Sequence, residues 1–124
     1  MLQPRKKQYK EMAEMTMKKL VNLTPHEVNI VLDNGETVTV PASGQLARVS
    51  AKTVRADFSI NEIPVTQTLY GEVEGLPDPE EGTAFIVSQL VASRVPTRYD
   101  VYIPNEAIRD EAGRIIGCRS LGRV

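Results

Sequence analysis

Apolar and polar positions follow two different rhythms along this chain, and the change comes near residue 20. Before it, Tyr9, Met12, Ala13, Thr16 and Leu20 recur at helical spacing, with Lys7, Glu11, Glu14 and Lys18 on the opposite side. Pro4 suits the first turn of such a helix, and Glu14 precedes Lys18 by one helical turn in the favourable orientation for an ion pair. The pattern predicts an N-terminal helix from Pro4 to about Leu20. Its apolar stripe is thin and methionine-rich, which suits packing on a neighbour better than building a core.

From Leu20 the rhythm becomes alternation. Val28, Ile30 and Leu32 point one way, Asp33-Asn34-Gly35 makes a turn, and Val38 and Val40 return. A three-residue loop with a left-handed Gly35 pairs Ile30 with Val38 and Val28 with Val40, which keeps the apolar faces together; a two-residue turn would set Ile30 against Thr39. Leu46 to Ile60 is weakly patterned, with short edge strands expected around Ala47–Val49 and Asp57–Ile60. Ile63 to Val73 reads as a longer strand with Ile63, Val65 and Leu69 facing inward and Thr66, Thr68, Tyr70 and Glu72 facing away. Gly75 to Gly82 is a loop by its prolines and glycines. Thr83 to Val87 is apolar on both faces, as a central strand is. Ser88 then caps a short helix from Gln89 to about Arg94, which Pro96 ends, and Arg98 to Ile103 returns as a strand. A type I turn at Asp110 to Gly113 pairs Ile108 with Ile116 and Asp110 with Arg114, and leaves Ala107, Arg109, Ile115, Gly117 and Arg119 on the other face. These elements predict an α+β fold: a mixed or antiparallel β-sheet core, a short internal helix and the N-terminal helix.

Composition refines the picture in three ways. A length of 124 residues with 41% apolar content suits one core, so residues 20–124 are expected to form a single β-rich domain and residues 1–19 an appended basic amphipathic helix. The formal charge of −1 is unevenly placed: residues 1–19 carry six Lys and Arg against two Glu, or +4, and the remainder is −5. Eight of the nine basic residues after Lys19 are arginine, whose planar fork grips carboxylates and phosphates. The acidic body speaks against nucleic acid as a partner, and Tyr70, Tyr99 and Tyr102 are too scattered to form a base-stacking platform.

The lone Cys118 cannot form an internal disulfide, and no Cys/His cluster has metal-ligand spacing, so neither a metal nor a cofactor is expected. No apolar run is long enough to span a membrane and no signal peptide is evident, which together with the free thiol predicts a cytoplasmic protein. Arg109 and Arg119, separated by the small Ala107 and Gly117, are the first candidates for gripping an anion. Ser88, at a strand-to-helix junction, is the second, with Arg94 and Arg98 nearby. His26, in Leu23-Thr24-Pro25-His26-Glu27, and Thr24 are candidate hydrogen-bonding groups. The acidic pairs Glu72/Glu74 and Glu80/Glu81 imply no catalytic cleft.

Leu20-Val-Asn-Leu-Thr-Pro-His-Glu-Val, Tyr70-Gly-Glu-Val-Glu-Gly-Leu-Pro, Phe85-Ile-Val-Ser and Arg114-Ile-Ile-Gly-Cys-Arg-Ser-Leu occur in that order. Together they resemble a group of small bacteriophage and prophage proteins of uncharacterised function, over nearly all of Leu20 to Leu121. The resemblance implies a phage accessory context, in which host-takeover and anti-defence factors are common and some trap nucleotide immune signals without cleaving them.

The expectation is a non-enzymatic protein, a homo-oligomer, that sequesters a small anionic, nucleotide-like ligand through Arg109, Arg119, Arg98 and Arg94, with His26, Thr24 and Ser88 contributing. Two alternatives stand beside it: a structural or protein-interaction module, docking through a sheet edge or the leading helix, and an enzyme acting through His26.

Overall fold

The computed structural model describes residues 19–124. The expected N-terminal helix therefore lies outside the described residues, and at its expected end Lys19 and Leu20 already belong to a strand. Eight strands follow one another in the chain: β1 (Lys19–Asn22), β2 (Val28–Val31), β3 (Thr37–Val40), β4 (Arg48–Ile60), β5 (Ile63–Glu74), β6 (Thr83–Ile86), β7 (Val101–Arg109) and β8 (Ile115–Gly122), with one helix, α1 (Gln89–Arg94), between β6 and β7. The α+β assignment is thus corrected. Strands take 56% of the described residues and helix 6%, so the domain is built by its sheet, and the one helix only bridges two strands.

Six strands form a single sheet in the order β1-β6-β7-β8-β2-β3. Three neighbouring pairs are parallel, β1 with β6, β6 with β7 and β8 with β2, while β7 with β8 and β2 with β3 are antiparallel. The sheet curls until its two ends almost meet, and Asn22 joins them. Asn22 bridges to Ala42, its carbonyl accepts from the Ser43 N–H at 3.0 Å, and its side-chain amide donates to the Val40 carbonyl at 3.1 Å. The result is a nearly closed barrel, which hides sheet edges that would otherwise invite pairing.

The local chemistry explains most of these elements. The β2–β3 hairpin takes the register Val28↔Val40 and Ile30↔Val38 because Gly35, at φ 88°, supplies the left-handed residue of the loop. All four residues of β6 are buried, as its unbroken apolar run requires of a strand flanked on both edges. Phe85, Val87, Leu23, Val91 and Val101 make the larger core cluster, and Val28, Ile30, Val40, Ile86 and Cys118 the second.

Ser88 starts α1, its hydroxyl oxygen accepting from the Val91 N–H at 3.3 Å, and Val91 and Ala92 pin the helix to the core. Ser88→Ala is expected to cost about 1 kcal/mol. The check is a lowered urea midpoint with an unchanged slope.

The largest departure from the sequence pattern is β4–β5. Instead of short edge pieces and an inward-facing strand, these residues form a two-stranded antiparallel arm of 13 and 12 residues, apart from the barrel sheet. Its tip is a two-residue turn, Asn61-Glu62, with φ of 48° and 65°, the sign that matches the twist of a hairpin. Val49 and Val73 tie its base to the core, and the Arg94 guanidinium lies over the Tyr70 ring at 5.0 Å. Ile63 and Leu69, expected inside, are exposed, because no part of the described chain covers that face.

Candidate functional site: a cavity beside the parallel strands

A cavity of ≈ 480 Å³ opens where β1 and β6 end, bounded on the other side by β2 and β8. That volume lies within the range of small-molecule sites, about 300–1,000 Å³. Three residues singled out from the sequence, Thr24, His26 and Ser88, line it together. Thr24 and His26 arrive from the β1–β2 turn, and Ser88 from the β6–α1 junction. Parallel pairing of β1 with β6 brings the two segments side by side, although more than sixty positions separate them in the chain.

The turn that presents Thr24 and His26 is held from below by the buried Asn22. Its Oδ1 accepts from the Thr24 backbone N–H at 2.9 Å and from the Thr24 hydroxyl at 2.6 Å, and its Nδ2 donates to the His26 carbonyl at 2.8 Å. With its proton so committed to Asn22 and the His26 carbonyl, the Thr24 hydroxyl can serve a visitor only as an acceptor. Ser88 is the complement. Its oxygen accepts from Val91 and its proton is available to a visitor. Asn29, which also lines the cavity, was not anticipated; its Oδ1 accepts from the Thr39 hydroxyl at 2.7 Å, which leaves its amide hydrogens uncommitted by that bond. The rest of the wall is largely apolar, chiefly Val28, Val87, Pro104, Ile115 and Ile116, and Glu27 adds one carboxylate at the rim.

Gly117 also belongs to the wall. A Cβ there would stand 3.0 Å from the Asn29 carbonyl oxygen, so glycine is what lets β8 approach β2 closely along the seam centred on Ile30↔Cys118.

The arginines lie elsewhere. Arg98 is fixed in place by Asp100, with Nε and Nη2 donating to the two carboxylate oxygens at 2.8 Å each and Nη2 also to the Pro77 carbonyl at 3.0 Å. That hydrogen bonding raises the Arg98 guanidinium above the ordinary arginine range, against the opposing effect of burial. Arg94 is occupied by Tyr70. Arg109 donates to the Gly113 carbonyl at 2.7 Å within its own turn. Arg119 has no hydrogen bond or ion pair among the described residues and is exposed on β8, two residues beyond Gly117.

The surface expected between Arg109 and Arg119 also changes. Asp110 and Arg114 pair as expected, but a bulge between Ile108 and Arg109 shifts the strands beyond it by one residue. Ala107 meets Cys118, and Gly117 meets Ile108 where Ile116 was expected, so the two arginines do not flank a floor of small side chains. The extra residue is Ile116 on β8, beside Gly117; a single glycine within a strand does not by itself fix where the register shifts.

Among the described residues, no group of three or more His, Cys, Asp or Glu side chains is placed to hold a metal ion, and no helix is long and apolar enough to cross a membrane. Compared with protein-family models, curated proteins and solved structures, the chain has no match in any of the three.

Proposed function

We propose that the protein is a non-enzymatic accessory protein, of the phage type its motifs resemble, that sequesters a small nucleotide-like ligand in the cavity bounded by β1, β6, β2 and β8. The observation that carries this reading is the convergence of Thr24, His26 and Ser88, from two distant segments, on one ≈ 480 Å³ cavity. Its donors (Ser88, Asn29), its acceptors (Thr24, Glu27) and its apolar wall suit a planar heterocycle, which needs edges to hydrogen-bond and faces to cover. No Lys or Arg is among the lining residues, so an attached phosphate belongs at the mouth, where it is solvated; Arg119, exposed two residues along β8 from the wall residue Gly117, is the cation we assign to it.

His26 is exposed, and among the described residues no hydrogen bond or ion pair engages its ring.

Titration calorimetry against nucleosides, mononucleotides and cyclic dinucleotides tests the proposal. Saturable heat with at least one of them is expected, together with a loss of roughly 10-fold in affinity for Ser88→Ala, as one hydrogen bond to a bound ligand is worth about 1.5 kcal/mol. For Arg119→Ala, weaker binding of the phosphorylated ligand but not of its nucleoside is expected. Absence of heat across the whole panel would remove the proposal.

A further inference from the structure

We infer that the β4–β5 arm is a self-association device, and that its apolar stripe packs against the same stripe of a second copy of this chain, the two arms running antiparallel.

The inference begins with the register. Lys52↔Leu69, Val54↔Gln67 and Ile60↔Ile63 are cross-strand partners, so with strand alternation Leu69, Gln67, Val65 and Ile63 share one face with Lys52, Val54 and Ile60. Ala51↔Tyr70, Thr53↔Thr68 and Arg55↔Thr66 share the other. One face is thus mainly aliphatic and the other mainly hydroxyl-bearing, which is the binary pattern of a sheet lying on a hydrophobic surface. Among the described residues nothing covers it: Ile63 is 63% exposed, Ile60 60% and the neighbouring Phe58 58%. A lone hairpin is marginally stable in water, and an exposed run of this kind marks a place where something docks.

Charge placement identifies the occupant. A twofold axis near Thr66 lays Leu69 of one arm over Ile63 of the second copy and pairs the centre of each stripe with itself. Lys52, the only cation on the stripe, then comes to the tip of the other arm, where Glu62 stands in the turn. The complementarity is reciprocal, as a twofold interface demands, and no like charges meet at the axis. Glu62 also holds a left-handed backbone position, φ 65°, where glycine or asparagine is the ordinary occupant. A carboxylate used by a second chain gives glutamate a reason to be there.

Edge-to-edge pairing is the alternative way for two arms to join, and the arm is built against it. Two register shifts interrupt the ladder and Pro64 removes a donor from β5. Size sets the strength. With the axis near Thr66 the stripes overlap over Ile63 to Leu69, about 23 Å at about 3.3 Å per residue, and the two strands make each arm about 10 Å wide. Stripe-on-stripe contact therefore buries roughly 500 Å² in total, well below the about 1,200–2,000 Å² of stable complexes, so the dimer is weak and reversible.

Sedimentation velocity over a range of concentrations tests this on the full chain. The wild type should pass from monomer to dimer as concentration rises. Ile63→Lys should weaken association at least 10-fold with an unchanged far-UV circular dichroism spectrum, since the tip supports no part of the barrel. Lys52→Glu and Glu62→Lys should each weaken it, and the two together should restore it. A wild type that stays monomeric throughout, a dimer indifferent to Ile63→Lys, or a double reversal that restores nothing would each overturn the inference. No cavity-lining residue lies on β4 or β5, so ligand binding by Ile63→Lys should match the wild type and serves as the control for folding.

Discussion

Asn22→Ala is expected to lower the free energy of unfolding by about 3–5 kcal/mol, more than any other single polar substitution in the barrel. Asn22 is 1% exposed and its side chain makes four hydrogen bonds, to the Val40 and His26 carbonyls and from the Thr24 N–H and hydroxyl. A typical hydrogen bond contributes about 1 kcal/mol net, and a buried group left without a partner costs about 1–3 kcal/mol. Alanine leaves partners from three separate residues unmatched and opens the seam between β1 and β3. Asn22→Leu, which replaces the volume but not the bonds, should recover little of the loss. Urea unfolding measures both variants. The same substitutions should weaken any ligand bound in the cavity, because the turn carrying Thr24 and His26 loses its support.

Phe85→Ala should cost a comparable amount, about 3–5 kcal/mol, for a different reason. Phe85 is 2% exposed, the largest fully buried side chain among the described residues, and it sits on β6 between two parallel neighbours. Removing the ring forfeits its transfer free energy and leaves a void that Leu23, Val91 and Val101 can close only in part. Thermal or urea unfolding should show the loss. A second, specific effect should accompany it: Val87 and Ser88 stand two and three residues after Phe85, so a relaxing β6 alters the cavity wall and lowers ligand affinity together with stability.

How far the sequence foretold these features depends on how local each one is. The β2–β3 register was legible because Gly35 and the alternating valines and isoleucines all lie within one hairpin. The cap at Ser88 was legible for the same reason. The arm was not, since the alternation from Ile63 to Val73 is the same whether the apolar face meets the chain's own core or another molecule. Nor was the fate of the arginines: the Arg98–Asp100 pair is near in sequence, but the Pro77 carbonyl that completes its fixation is 21 residues away. Thr24, His26 and Ser88 each drew notice as residue types, whereas Asn29, Ile115 and Ile116 became wall residues only through parallel contact between β2 and β8. Asn22 carried the faintest signal, one polar residue between Val21 and Leu23 in an otherwise apolar run.

Whether the cavity takes a ligand is read most directly from methyl and amide chemical shifts during titration with the nucleotide that gives the largest calorimetric heat. The methyl groups of Val28, Val87, Ile115 and Ile116 and the amides of Thr24 and Ser88 should move together and saturate at one equivalent. Shifts confined to the surface around Arg109 and Arg119, with those methyl groups unmoved, would contradict capture in the cavity.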